Sequence, residues 1–312
     1  MDDILPLLNI TIPYEERISQ INALVKQPNS KYTLLNLNVV SSTLKYPKSV
    51  YSISPLGLQN SKRNGKDGIV LFGYERNKEN KSSENNVNIN SESNFDDDKI
   101  KENKEFLFND FIFPVENPED NNGLYDSPNF SIYYNIDEDN YYIKDFNTGV
   151  GALMKIKRYE MEGNTLINIG GNYLVVYLEK NRILIKIFNN SVLENTYDKE
   201  STKINCDIKQ IDIDPKTNSY TYIGRSQNCD IVIEDMMLSK TQCCIEYDAE
   251  SKKIYLSDGD GKKESTNGTW VFILNPTKIT NNFMFKAEHT LFVANLINNR
   301  NSLIRKLKNE KK

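Results

Sequence analysis

Short runs in which apolar and polar residues alternate follow one another along most of the chain, a pattern typical of β-strands. Between residues 46 and 180 the runs include Gly68–Phe72 and Tyr173–Leu178, and they are bounded by Gly, Asn, Asp or Pro, which punctuate turns. A second series runs from residues 182–188 to residues 290–296. Many short strands with turn signals between them predict an all-β protein built from β-sandwiches.

The two ends of the chain show helical spacing instead. In the segment 1–45, Ile18, Ile21 and Val25 share one face at a helical period, which predicts a short helix. We expect this segment to be an adaptor that packs on a neighbouring domain. The tail, residues 299–312, is basic, and two of its leucines lie four positions apart, a spacing that also suits a helix.

A polar stretch interrupts the first strand series. Residues 77–105 are rich in Asn, Ser, Glu, Lys and Asp and contain almost no apolar residues. Such a segment cannot bury enough apolar surface to offset the entropy lost on ordering. We therefore predict a disordered insertion in a loop.

The two strand series match each other as an internal repeat. When Thr165–Leu178 is placed beside Phe283–Leu296 without a gap, the apolar positions fall in step. Chance matching of strands with similar alternation is the alternative explanation. The repeat predicts two tandem sandwiches over residues 46–180 and 182–298, the first of which carries the insertion.

A short link joins the two predicted domains. Leu178 closes the first strand series and Ile183 opens the second. Because a short connection restricts relative motion, we expect the two domains to pack as one rigid unit.

Composition narrows the classes of function. The net charge of −4 gives no sign of the basic surface that bulk nucleic-acid binding requires. No apolar run approaches the length of a membrane span, and the first residues lack the pattern of a signal peptide. We expect no nucleic-acid or membrane partner, and a cytoplasmic or nuclear location.

The cysteines do not suggest a metal site. The chain has four, at positions 206, 229, 243 and 244, and a single histidine, His289. None of the cysteines forms a C-x-x-C pair, and zinc would need more ligands than these. We expect reduced cysteines packed as small apolar residues, with no metal and no cofactor.

Three separated motifs in the second strand series offer groups that suit an anion. Gly224–Arg225 places a guanidinium where a strand ends, and Ser239–Lys240 supplies a hydroxyl and an ammonium before another strand. The turn Thr266–Thr269 contains an Asn and a Gly that suit positive φ. If these loops meet at one end of a sandwich, their groups match the needs of a phosphate on a peptide.

Together these motifs resemble the forkhead-associated (FHA) domain, whose pattern is G-R, then S-x-x-H, then N-G-T or N-G-S. The resemblance covers roughly residues 182–298 and implies a β-sandwich of the SMAD/FHA type. It departs from the pattern at one place, because Gln242 stands where the family has its histidine. In the family that histidine supports the loops more than it touches phosphate, and glutamine can still donate and accept hydrogen bonds.

The resemblance also implies roles for individual residues. Arg225 and Ser239 would contact the phosphate, with Lys240 assisting. Asn267 would bind the peptide backbone, and Thr266 would support the phosphothreonine pocket. The residues implied to support the site are Gly224, Gln242 and Gly268.

The first copy lacks most of these groups. Ser127 matches the serine, but Tyr74 stands at the arginine position, Pro128 replaces the lysine, and Phe130 falls at the histidine position. Residues 149–151 replace the Thr-Asn-Gly turn, and Arg76 is the one nearby residue that could substitute for the missing arginine. We therefore expect the first copy to be a degenerate FHA-like domain that has kept its core and lost its ligand site.

The function predicted from the resemblance is an adaptor that binds a phosphothreonine-containing protein. An enzyme is a second class, but the sequence shows no P-loop, no kinase-type glycine loop and no Ser/His/Asp set. A third class is a structural subunit that uses both sandwiches as packing surfaces. The identity of the partner, the sequence preferred around the phosphothreonine and the oligomeric state are left open.

Overall fold

The computed structural model confirms that the protein is mostly β. The predicted insertion 77–105 and the predicted C-terminal helix lie outside the residues that it describes. The described residues are 1, 3–27, 31–61, 63–74, 109–114, 128–148, 151–180, 182–189 and 206–298.

Helical structure precedes the strands. A turn of 3-10 helix covers Pro6–Leu8, and the predicted helix is present as α1, Tyr14–Lys26. The strands of the first half are β1 Thr33–Ser42, β2 Val50–Ser54, β3 Gly57–Leu58, β4 Ile69–Gly73, β5 Phe111–Ile112, β6 Phe130–Asn135, β7 Asn140–Asp145, β8 Leu153–Ile156, β9 Arg158–Glu160, β10 Thr165–Ile169 and β11 Asn172–Glu179. Those of the second half are β12 Arg182–Asn189, β13 Asp207–Asp212, β14 Ser219–Gly224, β15 Ile231–Val232, β16 Cys243–Asp248, β17 Lys253–Asp258, β18 Thr269–Phe272, β19 Thr277–Lys278, β20 Phe283–Ala287 and β21 Thr290–Asn298.

The chain forms two compact units, and neither of them is one continuous stretch of sequence. Over the described residues, the first unit consists of Met1–Ala152, Leu274–Phe283 and the residues from Ala287 onward. The second unit consists of Leu153–Ile273 and Met284–Lys286. Strands β8 to β11 therefore belong to the second unit, although they precede the predicted domain boundary.

This division corrects the predicted boundary at residues 180–182. Strands β11 and β12 form a hairpin in which Leu178 lies opposite Ile183, so the predicted link between domains is a turn within the second unit. Conversely, β21 pairs with β1 of the first unit, with Thr33 opposite Asn298. The segments Thr165–Leu178 and Phe283–Leu296 share the same alternation of apolar and polar residues. That pattern therefore does not show which unit each of their strands joins.

The N-terminal segment is also part of the first unit, since its residues 33–42 are strand β1 and pair with β2 and β21. The residues before α1 cover strands β4 and β6 with an apolar cluster. Its buried members are Ile4, Leu5, Leu8, Ile69, Leu71 and Tyr133. Helix α1 is held by the buried Arg17, whose guanidinium donates to the carbonyl oxygens of Asp67 (2.7 Å) and Tyr134 (2.6 Å). The predicted adaptor segment 1–45 is therefore built into the sandwich of the first unit.

Each unit contains a five-stranded sheet, and four strands have the same order in both. In the first unit the order is β5-β4-β6-β7-β19, and in the second it is β15-β14-β16-β17-β9. The pairs β4-β5 and β14-β15 are parallel, with Phe72 opposite Phe111 and Ile223 opposite Ile231, and the other pairs are antiparallel. The four shared strands fit an internal repeat, whereas the fifth strand follows them in the chain in the first unit and precedes them in the second.

The core of the second unit is formed by residues of the sheet β15-β14-β16-β17-β9 and of strands β10 to β12. Ile245 and Leu256 of the five-stranded sheet are buried, as are Ile167, Leu174 and Ile185 of the other strands. This apolar interior fixes the positions where β14, β16 and β18 begin and end, and the loops at those positions carry the predicted site.

Candidate anion-binding site

Three loops of the second unit bring the predicted site residues together. They follow β14, precede β16 and precede β18. The first two loops are joined by backbone hydrogen bonds, in which Arg225 donates to the carbonyl of Ser239 (3.2 Å) and Ser226 donates to that of Lys240 (3.1 Å). The side chains of Arg225 and Lys240 therefore extend from neighbouring backbone segments.

The Ser239 hydroxyl joins the second loop to the third. It accepts a hydrogen bond from the backbone N–H of Thr266 (2.9 Å) and donates to the Thr266 hydroxyl oxygen (3.3 Å). Both residues are at least partly exposed. These two hydroxyl groups therefore lie side by side where the loops meet.

Asn267 is held in place by the same loops. Its side-chain N–H donates to the carbonyl of Met237 (2.7 Å), and its own carbonyl accepts from the indole N–H of Trp270 (3.1 Å). Within the described part of the chain, its side-chain oxygen accepts no hydrogen bond. That oxygen is free to accept an N–H from a bound peptide, which suits the role that the resemblance implies.

The side chain of Gln242 links the second loop to the third. Its side chain is fully buried. The side-chain oxygen accepts the backbone N–H of Ser239 (3.0 Å), and the side-chain nitrogen donates to the Ser265 hydroxyl and to the Gly268 carbonyl, both at 2.9 Å. Gln242 thus makes the kind of cross-loop support that the resemblance assigns to the family's histidine.

A buried carboxylate completes this support, and the motifs do not identify it. Asp258 accepts hydrogen bonds from the hydroxyl groups of Ser265 (2.6 Å) and Thr269 (2.8 Å). The only signal in the sequence is that these two hydroxyl residues flank the Thr-Asn-Gly turn. Asp258 itself ends β17 and shows no motif of its own.

The two glycines are required by the geometry of the loops. A Cβ atom at position 224 would lie 2.3 Å from the backbone oxygen of Lys240, so no other residue fits beside that loop. Gly268 has a φ of +77°, a conformation that other residues adopt only with strain. Both glycines therefore fix the backbone of the loops around the cleft.

The loops enclose an open cleft of about 500 Å³ that is lined by three cations without an ion pair. Arg225, Lys240 and Lys263 are exposed and form no ion pair with any described residue. Glu264 also lines it, but Lys157 lies 2.9 Å from its carboxylate and holds the pKa of that carboxylate below its usual value. The cleft therefore offers positive charge and hydroxyl groups to an anion.

The register of the first unit corrects two residue assignments. Phe72 lies opposite Phe130, and in the second unit Ile223 lies opposite Cys243, the residue after Gln242. The equivalent of Gln242 is therefore Asn129 and not Phe130, and Pro128 matches Thr241 and not Lys240. The backbone N–H of Asn129 donates to the Phe72 carbonyl (2.7 Å), as that of Gln242 does to the Ile223 carbonyl (2.8 Å).

In the first unit the equivalent loops surround an acidic side chain. Glu288 is buried and accepts hydrogen bonds from the Tyr74 hydroxyl and from the Asn129 side chain, both at 2.7 Å. Tyr74 directly follows Gly73, as Arg225 follows Gly224. A carboxylate at this place would repel a phosphate. The remaining predicted differences, at Arg76 and at residues 149–150, lie outside the described residues.

The side chains that could bind a metal and the helices that could cross a membrane are considered next. In the described part of the chain, no three His, Cys, Asp or Glu side chains are grouped so that they could hold a metal ion. The four cysteines are free thiols, and burial raises the pKa of Cys244 to about 11. None of the described helices is long and apolar enough to cross a membrane.

Comparison with known proteins identifies one family. The family model of the FHA domain matches residues 221–290, a range that begins in β14 and contains all three loops of the cleft. No curated protein and no solved structure matches the chain. The part of the chain that carries the Arg225 cleft is therefore similar to the FHA domain, a module that generally binds phosphothreonine in protein partners.

Proposed function

We propose that the protein is an adaptor that binds phosphothreonine-containing proteins through the Arg225 cleft. The observation that carries this proposal is the pair of exposed, unpaired cations, Arg225 and Lys240, held beside the hydroxyl groups of Ser239 and Thr266. The loops around these cations are held by buried hydrogen bonds. Cations that served only solubility would not require loops fixed in this way.

The groups in the cleft suit each part of the ligand. A guanidinium presents N–H donors in a fixed plane that matches two phosphate oxygens, and an ammonium adds a second positive charge. The Thr266 hydroxyl can donate to a remaining phosphate oxygen, and the Ser239 hydroxyl can donate to another once it turns away from the Thr266 oxygen. The free side-chain oxygen of Asn267 can accept a backbone N–H of the peptide, so phosphate and peptide are bound together.

The same chemistry disfavours an enzyme. The cleft is lined by cations, hydroxyl groups, an amide and two carboxylates that are engaged in the loops around them. The only histidine of the chain, His289, belongs to the first unit. We therefore propose binding without catalysis.

A structural subunit is the second candidate function. Features of the first unit favour a structural role for that unit. In the first unit Glu288 is buried and accepts hydrogen bonds from Tyr74 and Asn129, and a carboxylate held there disfavours an anion, so a structural role suits that unit better. The second unit keeps its cations exposed instead, which favours a ligand. We propose that the first unit is a degenerate FHA-like sandwich that supports a binding unit.

Binding to a phosphothreonine peptide library tests the proposed function. The full chain is needed, because a fragment that begins at residue 182 would lack β8 to β11, which pair within the second unit. We expect the immobilised chain to bind a library with central phosphothreonine and degenerate flanks about thirtyfold more tightly than the same library with threonine. Equal binding of both libraries, or no binding of either, would contradict the proposal.

A further inference from the structure

Lys286, in strand β20, is a lysine whose described partners are neutral. Its ammonium donates to the side-chain oxygen of Asn168 (2.5 Å) and lies 4.7 Å from the centre of the Trp270 ring. It forms no ion pair with any described residue. By contrast, each of three other lysines of the second unit pairs with a glutamate, and these are Lys155, Lys157 and Lys253.

The strands of the second unit fix this arrangement. Asn168 of β10 lies opposite Trp270 of β18, and Trp270 lies opposite Lys155 of β8, so their side chains share one face of the sheet. Lys286 lies opposite Leu153, two residues before Lys155 on β8, and therefore belongs to the same face. Lys155 is the only charged residue of β8, β10 and β18, and it is paired with its glutamate.

Partial burial of the Lys286 amine disfavours its charged form. The residue is only partly exposed, and an aromatic ring and an amide oxygen stabilise an ammonium less than a carboxylate would. Burial lowers the pKa of Lys286 to about 8. At about pH 7.5 roughly a quarter of this amine is then neutral, against about one part in a thousand for a lysine of ordinary pKa.

A neutral amine that solvent can reach is a nucleophile, whereas an ammonium is not. Lysines gain this reactivity when an apolar neighbourhood desolvates them, and the Trp270 ring supplies such a neighbourhood here. No acid or base is among the described hydrogen-bond partners of Lys286. The residue therefore suits the role of a group acceptor better than that of a catalyst.

We propose that Lys286 is an acylation site that accepts an acyl group from a thioester. The neutral amine attacks the carbonyl carbon of the thioester, the C–N bond forms as the C–S bond breaks, and the amine proton leaves with the thiol. The products are an amide on Lys286 and a free thiol, so the step needs no oxidant or reductant. The inference does not depend on the proposed function.

Acylation would remove the charge that lies over Trp270, because an amide is neutral. Trp270 donates its indole N–H to the backbone carbonyl of Asn267 (3.1 Å), and Asn267 lines the cleft. Trp270 is also the only tryptophan of the chain, so the intrinsic tryptophan fluorescence reports the surroundings of Lys286.

The test incubates the full chain with acetyl coenzyme A, a thioester, and measures the initial rate of acetylation at each lysine by peptide mass spectrometry. The matched control is Lys157, whose side chain is 85% exposed and whose hydrogen bond to Glu264 raises its pKa. At about pH 7.5 we expect Lys286 to react about tenfold faster than Lys157 or more. The rate at Lys286 should level off above about pH 8.5, whereas the rate at Lys157 should keep rising.

A second measurement follows the fluorescence of Trp270 as the pH is raised. The wild type should show a transition near pH 8, and Lys286→Met, which keeps a similar length without a titrating group, should lack it. Acetylation of Lys286 no faster than that of Lys157, or rates that rise in parallel with pH, would overturn the inference. A wild type without the transition, or a variant that keeps it, would count against it equally. The rates are measured on the wild type, so they decide the matter even if the variant does not fold.

Discussion

Arg225→Ala is expected to weaken binding of the phosphothreonine library by about thirtyfold or more, which corresponds to about 2 kcal/mol. The variant loses the guanidinium that would pair with two phosphate oxygens, and Lys240 alone cannot replace that planar contact. The fold should survive, because the side chain is exposed and forms no ion pair with a described residue. Calorimetric titration of the full chain measures the change.

The matched control for this prediction is Arg182→Ala. Arg182 is an exposed arginine of the same unit that pairs with Glu179 at the turn before β12, away from the three loops. Its removal deletes the same charge from the chain, so a general effect of net charge would appear in both variants. Equal losses of affinity in the two variants, or no loss in Arg225→Ala, would show that the proposed cleft does not bind the phosphate.

Gln242→Leu is expected to lower the free energy of unfolding by about 3 kcal/mol, because three hydrogen bonds are lost and two of their partners are left unsatisfied. Those two are the backbone N–H of Ser239 and the carbonyl of Gly268, while the Ser265 hydroxyl keeps its bonds to Asp258 and to the backbone N–H of Gly268. Leucine has nearly the same size, so the effect measures hydrogen bonding more than packing. Denaturant unfolding of the full chain gives the change in stability.

Two further variants test whether the loss of stability comes from the hydrogen bonds of Gln242. Gln227→Leu changes an exposed glutamine of the loop after β14 and should leave stability within about 0.5 kcal/mol of the wild type. Gln242→His introduces the family's residue, which can accept one hydrogen bond and donate another, so its loss should be smaller than that of the leucine variant. If Gln242→Leu costs no more than Gln227→Leu, the glutamine does not hold the loops together.

The predicted site residues lie on neighbouring loops in the structure, whereas the division of the chain differs from the prediction. Arg225, Ser239 and Asn267 lie in short motifs whose loops follow directly from the ends of neighbouring strands, so local sequence places them together. The sequence also predicted the strand content and the helix α1, because both depend on local periodicity.

The assignment of these strands to units could not be predicted in this way. Thr165–Leu178 and Phe283–Leu296 have the same apolar pattern, but β10 and β11 belong to the second unit, whereas β20 joins the second unit at Met284–Lys286 and β21 joins the first. The pairing of β1 with β21, which joins Thr33 to Asn298, is the clearest example of a contact distant in sequence. The same pattern predicts a domain boundary after Leu178, where the structure has a hairpin.

The hydrogen-bond partners of individual side chains also could not be predicted from the sequence. Glu288 lies far along the chain from Tyr74 and Asn129, and nothing in its neighbourhood indicates that it fills the end of the first unit. The shift from Phe130 to Asn129 as the equivalent of Gln242 needed the strand register, because alignment of short motifs leaves an uncertainty of one residue.

Amide chemical shifts of the isotope-labelled full chain, recorded as capped phosphothreonine is added, test the central claim most directly. This ligand carries the phosphate, the threonine side chain and two peptide groups and needs no knowledge of the partner. We predict that the largest shift changes occur at Arg225, Ser239, Lys240, Thr266 and Asn267, and that capped threonine causes none of them. No shift change in these loops, or changes confined to the Tyr74 and Asn129 end of the first unit, would contradict the account.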